Sequence, residues 1–183
     1  MRHAAGWPSM TQAPPPIVSI IGWHDSGKTT IATALVRCLK QRGLHVAVIK
    51  HSREDVDLDQ PGTDTWLLAQ AGADLVAISS QGRLALLEQP AVEVPLSDVV
   101  RRLPHYIDLV ITEGYKREPT PKIEVIRPGY GHGRIQSPGE LLAVVSSDPN
   151  AADDAPLFGL DEVDALADLV VMHLSLREDA ASD

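Results

Sequence analysis

Apolar residues along this chain follow two habits, short β-branched runs and stretches spaced at three and four, and their alternation predicts an α/β fold. Ile17 to Ile21 (IVSII) has the length of a buried strand, and Gly22 stops it. From Lys28 to Arg42 the apolar positions Ile31, Leu35, Val36 and Leu39 recur at helical spacing, with Gly43 as the stop. Leu44 to Ile49 (LHVAVI) restores the strand pattern. The chain thus opens as strand-loop-helix-strand, a unit that favours a parallel sheet with a right-handed crossover.

Lys50 to Gly62 (KHSREDVDLDQPG) is polar and acidic with no core face, which predicts an ordered functional loop. Thr63 to Gly72 reads as a helix with Thr63 as N-cap, burying Trp66, Leu67 and Ala69 or Leu68. Leu75 to Ser79 and Arg83 to Leu87 flank Gln81-Gly82 and read as a hairpin. A short helix is expected over Ser97 to Leu103 and a strand over Ile107 to Thr112, broken by Glu113-Gly114. Further strands fall at Lys122 to Ile126 and Leu141 to Val145, and Asp161 to Leu174 reads as an amphipathic helix. The sum is a three-layer fold with a mostly parallel central sheet and an added β-hairpin, spanning residues 17–174. A disordered N-terminal tail (1–16) and a flexible C-terminal tail (175–183) are expected to flank it.

Charge and cysteine content narrow the function. A formal net charge of -9, from 16 Lys and Arg against 25 Asp and Glu, opposes a polyanion and excludes nucleic acid as the expected partner. Cys38 is the one cysteine, so stability must come from packing, as in a reducing compartment. No window approaches the roughly 18 uncharged apolar residues of a membrane span. A cytoplasmic protein that uses no membrane is the expectation.

The first predicted strand and helix are joined by Gly22-Trp23-His24-Asp25-Ser26-Gly27-Lys28-Thr29, a full match to GxxxxGK[ST] in the context that motif requires. Glycines there let backbone N–H groups curl around a phosphate, and the helix N-terminus adds its positive end. Gly22, Asp25, Ser26 and Gly27 form the cradle. Lys28 supplies charge to the β- and γ-phosphates, Thr29 a Mg²⁺-ligating hydroxyl, and Thr30 a donor to the α-phosphate. Together with the fold this predicts a P-loop NTPase.

Such a site needs a carboxylate at the end of a neighbouring strand to hold the metal's shell. Glu113 qualifies, whereas Asp108 sits at the wrong end of its strand. The loop after the second strand offers Asp55, Asp57, Asp59 and Asp64, where P-loop proteins place groups that sense metal and γ-phosphate. Lys50 and His51 stand where α/β sheets put their ligands, at a strand's C-terminal end. Guanine is discriminated by an acceptor carboxylate facing N1–H and the exocyclic amine. Asp148, after Val144 and Val145, is placed for that task, although Asp-Pro also simply starts a turn.

GWHDSGKTT, then VIKH followed by Asp57, Asp59 and Pro61-Gly62-x-Asp64, then TEGYKREPTPKIEV, together resemble the molybdopterin-guanine dinucleotide biosynthesis protein B (MobB) family over roughly Ile17 to Asp148. The resemblance implies a homodimeric GTP- and Mg²⁺-binding adaptor, at most a slow GTPase. It would serve the molybdenum cofactor guanylyltransferase that attaches GMP to molybdopterin, with molybdopterin itself a candidate partner. It also implies catalytic roles for Asp57 and Glu113, metal contact by Thr29, Glu113 and Asp64, and a role for Lys116 of the EG-x-K segment. His24-Asp25 inside the loop, and Ser52-Arg53-Glu54 where the family is often histidine-rich, depart from its pattern. Two other readings share the cradle: a small-molecule kinase, which needs a lid with arginines, and a nickel-delivery GTPase, which needs a His or Cys cluster.

Overall fold

The computed structural model describes residues 13–52, 59–131 and 133–181. They fall into two compact units, one comprising the chain up to His51 and from Val100 onward, the other Ser52 to Val99. In chain order the elements are β1 (Ile17–Gly22), α1 (Lys28–Gln41), β2 (Val46–Lys50), α2 (Asp64–Gln70), β3 (Leu75–Ser80), β4 (Arg83–Glu88), α3 (Leu96–Arg101), β5 (Leu109–Glu113), β6 (Lys122–Ile126), β7 (Leu141–Ser146), β8 (Leu157–Phe158) and α4 (Val163–Ala181).

In the first unit six strands lie in the order β2-β5-β1-β6-β7-β8, and every neighbouring pair is parallel. The interior strands β1 and β5 are buried along almost their whole length, as parallel strands covered on both faces are. β2 lies at an edge and is only partly covered. Helix α1 buries Ile31, Ala32, Leu35 and Leu39, the face that its periodicity marks out. These residues share one core with Leu166, Ala167 and Val170 of α4. Arg42, just past α1, fastens the two helices by donating to Asp168 Oδ1 (2.5 Å) and the Asp164 carbonyl (2.9 Å).

The second unit holds α2 and the antiparallel hairpin β3–β4. Thr63 caps α2 as expected, its hydroxyl accepting from Trp66 N at 3.3 Å. The expected burial along this helix is corrected: none of its residues is buried, and Leu67 and Leu68 are exposed. Periodicity identified the helix but could not say that its apolar face lacks a cover among the described residues.

Two strand starts also move. β2 begins at Val46 rather than Leu44, and β5 at Leu109 rather than Ile107. Before them, Asp108 N donates to the His45 carbonyl (2.8 Å) and His45 N donates to Asp108 Oδ2 (2.6 Å), so a side chain takes the place of a ladder bond. That N–H bond holds the Asp108 carboxyl below its ordinary range. Asp108 therefore serves the strand entrance. The two-residue β8 was not anticipated, and α4 continues past the expected end at Leu174, with no glycine or proline to stop it. Among the described residues no helix is long and apolar enough to cross a membrane.

Leu166 is fully buried where α4 meets the sheet and α1. Leu166→Ala is expected to lower the unfolding free energy by about 2 to 5 kcal/mol, the range for a leucine truncated in a packed core. Urea denaturation measures it; a loss under about 1 kcal/mol would mean that this seam is not part of the core.

Candidate phosphate-binding site

The turn from β1 into α1 is shaped by close approach. A Cβ on Gly22 would lie 2.5 Å from both Ser26 Oγ and the Val125 carbonyl oxygen, so only glycine fits there. Gly27 has φ 95°, a left-handed conformation that costs glycine little, and Asp25 shares it at φ 57°. The result is a backbone concavity that ends in α1.

Gly27 supplies no side-chain cap to α1, and the helix has no acidic residue in its first turn. Its leading N–H groups lack the oxygen that Thr63 gives α2. Ser26 Oγ is buried with no hydrogen-bond partner among the described residues. Lys28 Nζ donates to the Trp23 carbonyl at 2.6 Å, folding the charge back over the loop. Burial lowers the Lys28 pKa, against the opposing pull of Glu113 and Asp25. Uncapped N–H groups, an orphaned hydroxyl and a lysine held in place are the donor set that a phosphate chain requires, so the cradle fits one.

β5 brings Glu113 to the same place, because it runs parallel beside β1 with Ile20 opposite Glu113. Glu113 is buried, and both its carboxylate oxygens lie 3.0 Å from Thr29 Oγ1, which donates to them. Lys50 Nζ lies 3.3 Å from Glu113 Oε1. A hydroxyl and a carboxylate are hard oxygen donors of the kind Mg²⁺ prefers. Among the described residues no group of three or more His, Cys, Asp and Glu could hold a metal ion. An ion at Thr29 and Glu113 would therefore have to complete its shell with water and phosphate oxygens, as Mg²⁺ commonly does.

The remaining expected residues divide. His51 joins the site through its backbone, donating to the Glu113 carbonyl at 3.0 Å, while its ring rests on Tyr115 at 4.8 Å. Lys116 Nζ lies 5.0 Å over the Trp23 ring. Thr30 is exposed in the first turn of α1. Asp148 Oδ1 accepts from Asn150 N (2.9 Å), the turn-starting role weighed from sequence. Beside it, at the C-terminal ends of β7 and β8, a cleft of about 510 Å³ is lined by Ser146, Ser147, Pro149, Leu157 and Asp161 among others. Asp64 opens α2 in the other unit, and Asp57, like Asp55, lies outside the described residues.

Three features were not foreseen. Trp23 donates to the Gly133 carbonyl (2.7 Å) and packs where a Cβ on Gly131 would stand 2.1 Å from its ring. Arg127 stacks on Tyr130 at 4.3 Å and donates to the Asp25 carbonyl at 3.3 Å. Lys122 is fully buried at the start of β6, donating to the Glu118 carbonyl (2.7 Å), Thr120 Oγ1 (2.6 Å) and the Tyr115 carbonyl (3.3 Å). It thereby ties down the segment that follows Glu113. Two charged residues, Lys122 and Glu124, in a short buried strand (KIEVI) were the available signal, since Lys and Glu are almost never fully buried without partners.

A concave turn between β1 and α1, with a carboxylate supplied from the next strand, is the arrangement of P-loop nucleotide-binding proteins, and fold and site place this chain in that class. The family model for molybdopterin guanine dinucleotide synthesis protein B matches residues 17–147, and the chain belongs to that family. It is 35% identical over 164 residues to the molybdopterin-guanine dinucleotide biosynthesis adapter protein of Escherichia coli (strain K12), covering 85% of this chain and 91% of that one. Identity to the adapter protein of the same description from Haemophilus influenzae is 31% over 156 residues, covering 85% and 87%. The crystal structure of a molybdopterin-guanine biosynthesis protein B superposes with a TM-score of 0.67 at 31% identity, covering 87% of this chain and 99% of that one.

Burial lowers the Lys122 pKa from 10.5 to about 8, with Glu118 opposing. Between those two values the unfolded chain binds the extra proton, so this group's contribution to stability rises with pH and is lost as pH falls towards 8. The stability of wild type relative to Lys122→Met is therefore expected to grow from pH 8 to 10.5. Paired urea denaturation curves across that window check it; a flat or falling difference contradicts the burial of a charged amine.

Proposed function

We propose that this chain is the GTP-binding adaptor of molybdopterin guanine dinucleotide synthesis, acting in the cytoplasm on the guanylyltransferase that joins GMP to molybdopterin. The observation that carries the nucleotide half of this reading is the uncapped start of α1 facing the Thr29–Glu113 pair. Membership of an adapter family supports the other half. Lys28, Ser26 and the backbone of Gly22 to Thr30 would hold the phosphates, and Thr29 with Glu113 would hold Mg²⁺, which neutralises charge between the β- and γ-phosphates. Hydrolysis, if any, is slow.

The base would lie in the cleft beside β7. Two strand spacings separate β7 from β1, roughly 10 Å, which matches the reach from a phosphate chain to its base. Carboxylates at Asp148 and Asp161 suit the N1–H and amine of guanine and oppose the unprotonated N1 of adenine. GTP is therefore expected to bind more tightly than ATP, with Mg²⁺ strengthening both. Lys28→Ala should cost about 2 to 5 kcal/mol by leaving phosphate charge unpaired. Calorimetry decides: equal affinity for the two nucleotides sinks the guanine assignment, and unchanged binding by the folded mutant sinks the cradle.

The adaptor is proposed to be a homodimer joined through the hairpin. Leu75, Leu84 and Leu86 share one face of β3–β4 and are all exposed, as is Ile78 on the other face. An apolar two-stranded ribbon with open edges invites pairing, and a two-fold axis is the commonest way for identical chains to provide it. Light scattering at micromolar concentration should give a dimer mass that halves in the double variant Ile78→Lys, Leu86→Lys. A monomeric wild type would end this part of the reading.

A further inference from the structure

Lys50 is the last residue of β2 and stands opposite Glu113 in the parallel register. The backbone beneath it is fixed. His51 N bonds to the Glu113 carbonyl, extending the ladder one residue beyond the strand, and the His51 ring leans on Tyr115. Gly114 makes room for this, since a Cβ there would meet His51 Cβ at 3.3 Å. The Lys50 side chain has the opposite character: it is 65% exposed and reaches across to a carboxylate only 11% exposed.

That carboxylate serves three groups. Thr29 donates to both its oxygens, Lys50 pairs with one of them, and Lys28 feels the charges of both Glu113 and Lys50. Glu113 thus pairs with Lys50 from β2, while Lys28, folded onto the Trp23 carbonyl at the head of α1, adds its charge from the side of β1. Thr29 and Glu113 would hold Mg²⁺ at the oxygen that Lys50 pairs with, and the Lys50 ammonium would then be repelled from that shared ligand. A partly exposed lysine pair is easily broken, and the flexible four-carbon stem can carry the charge elsewhere. A Mg²⁺ held by Thr29 and Glu113 would neutralise charge on a triphosphate, and the terminal phosphate would then be an anionic partner for a released Lys50.

We propose that Lys50 is a second phosphate-binding lysine, parked on Glu113 while the site is empty and transferred to the γ-phosphate when Mg²⁺ and a nucleoside triphosphate bind. This rests on the Mg²⁺-nucleotide reading of the same site. It makes the protein's preference for triphosphate over diphosphate a property of β2 as well as of the P-loop. An adaptor that distinguishes the two states could do so through a strand end that has moved its charge.

The test compares wild type, Lys50→Met and Lys50→Arg by calorimetry with GTP and with GDP, each in Mg²⁺. Lys50→Met keeps the stem and should lose about tenfold to a hundredfold in GTP affinity, the range for removing one charge-assisted hydrogen bond, with GDP affinity unchanged. Lys50→Arg should recover most of the loss. Equal weakening of GTP and GDP, or weakening of neither, overturns the proposal while leaving the nucleotide reading in place. Failure of wild type to bind either nucleotide overturns that reading and this proposal with it.

Discussion

A helix that begins without an acceptor for its first N–H groups must find one or leave donors unsatisfied, and in this chain α1 begins that way. The surrounding sequence is arranged around that condition. Gly22 leaves out a side chain that would clash with Ser26 and the Val125 carbonyl, Gly27 supplies the left-handed turn, Ser26 Oγ has no partner among the described residues, and Lys28 is folded over the loop through the Trp23 carbonyl. Elsewhere in the same chain Thr63 supplies such an acceptor to α2 from its own side chain. The contrast between the two helix starts is the plainest sign that the first one belongs to a ligand.

Parallel pairing then settles what else can reach that point. With β5 between β1 and β2, the residues that end these three strands emerge side by side, so Glu113, Lys50 and the P-loop meet without any long loop having to place them. The segment after Glu113 is secured from below by the buried Lys122 amine and from the side by His51 on Tyr115. A carboxylate facing Lys50 and the Thr29 hydroxyl is thus held at the end of a buried strand, which is where precision in a charged site is easiest to maintain.

Much of this is legible in the sequence. The P-loop is a contiguous motif whose chemistry is local, and Glu113 and Lys50 were found because strand ends are visible as the points where β-branched runs stop. What escaped was long-range or depended on cover. Trp23 meets Gly131 and Gly133 more than a hundred residues away, and nothing near GWHDSGKT names its partner. The exposure of Leu67 and Leu68 could not be seen, because an amphipathic pattern reports that an apolar face exists and not whether the same chain covers it. Asp57 belongs to residues that the structure does not describe, so its assigned role still rests on the sequence.

The excursion from His51 to Val100 leaves the sheet after β2 and returns towards β5, the strand that β2 pairs with. Its two ends are therefore anchored by strands already joined to each other, and the entropic cost of closing the intervening segment rises only with the logarithm of its length. Such a segment can be lengthened, shortened or exchanged over evolutionary time without renegotiating the sheet. The phosphate-binding unit can thereby keep its strand pairing while the length of the segment between β2 and β5 changes.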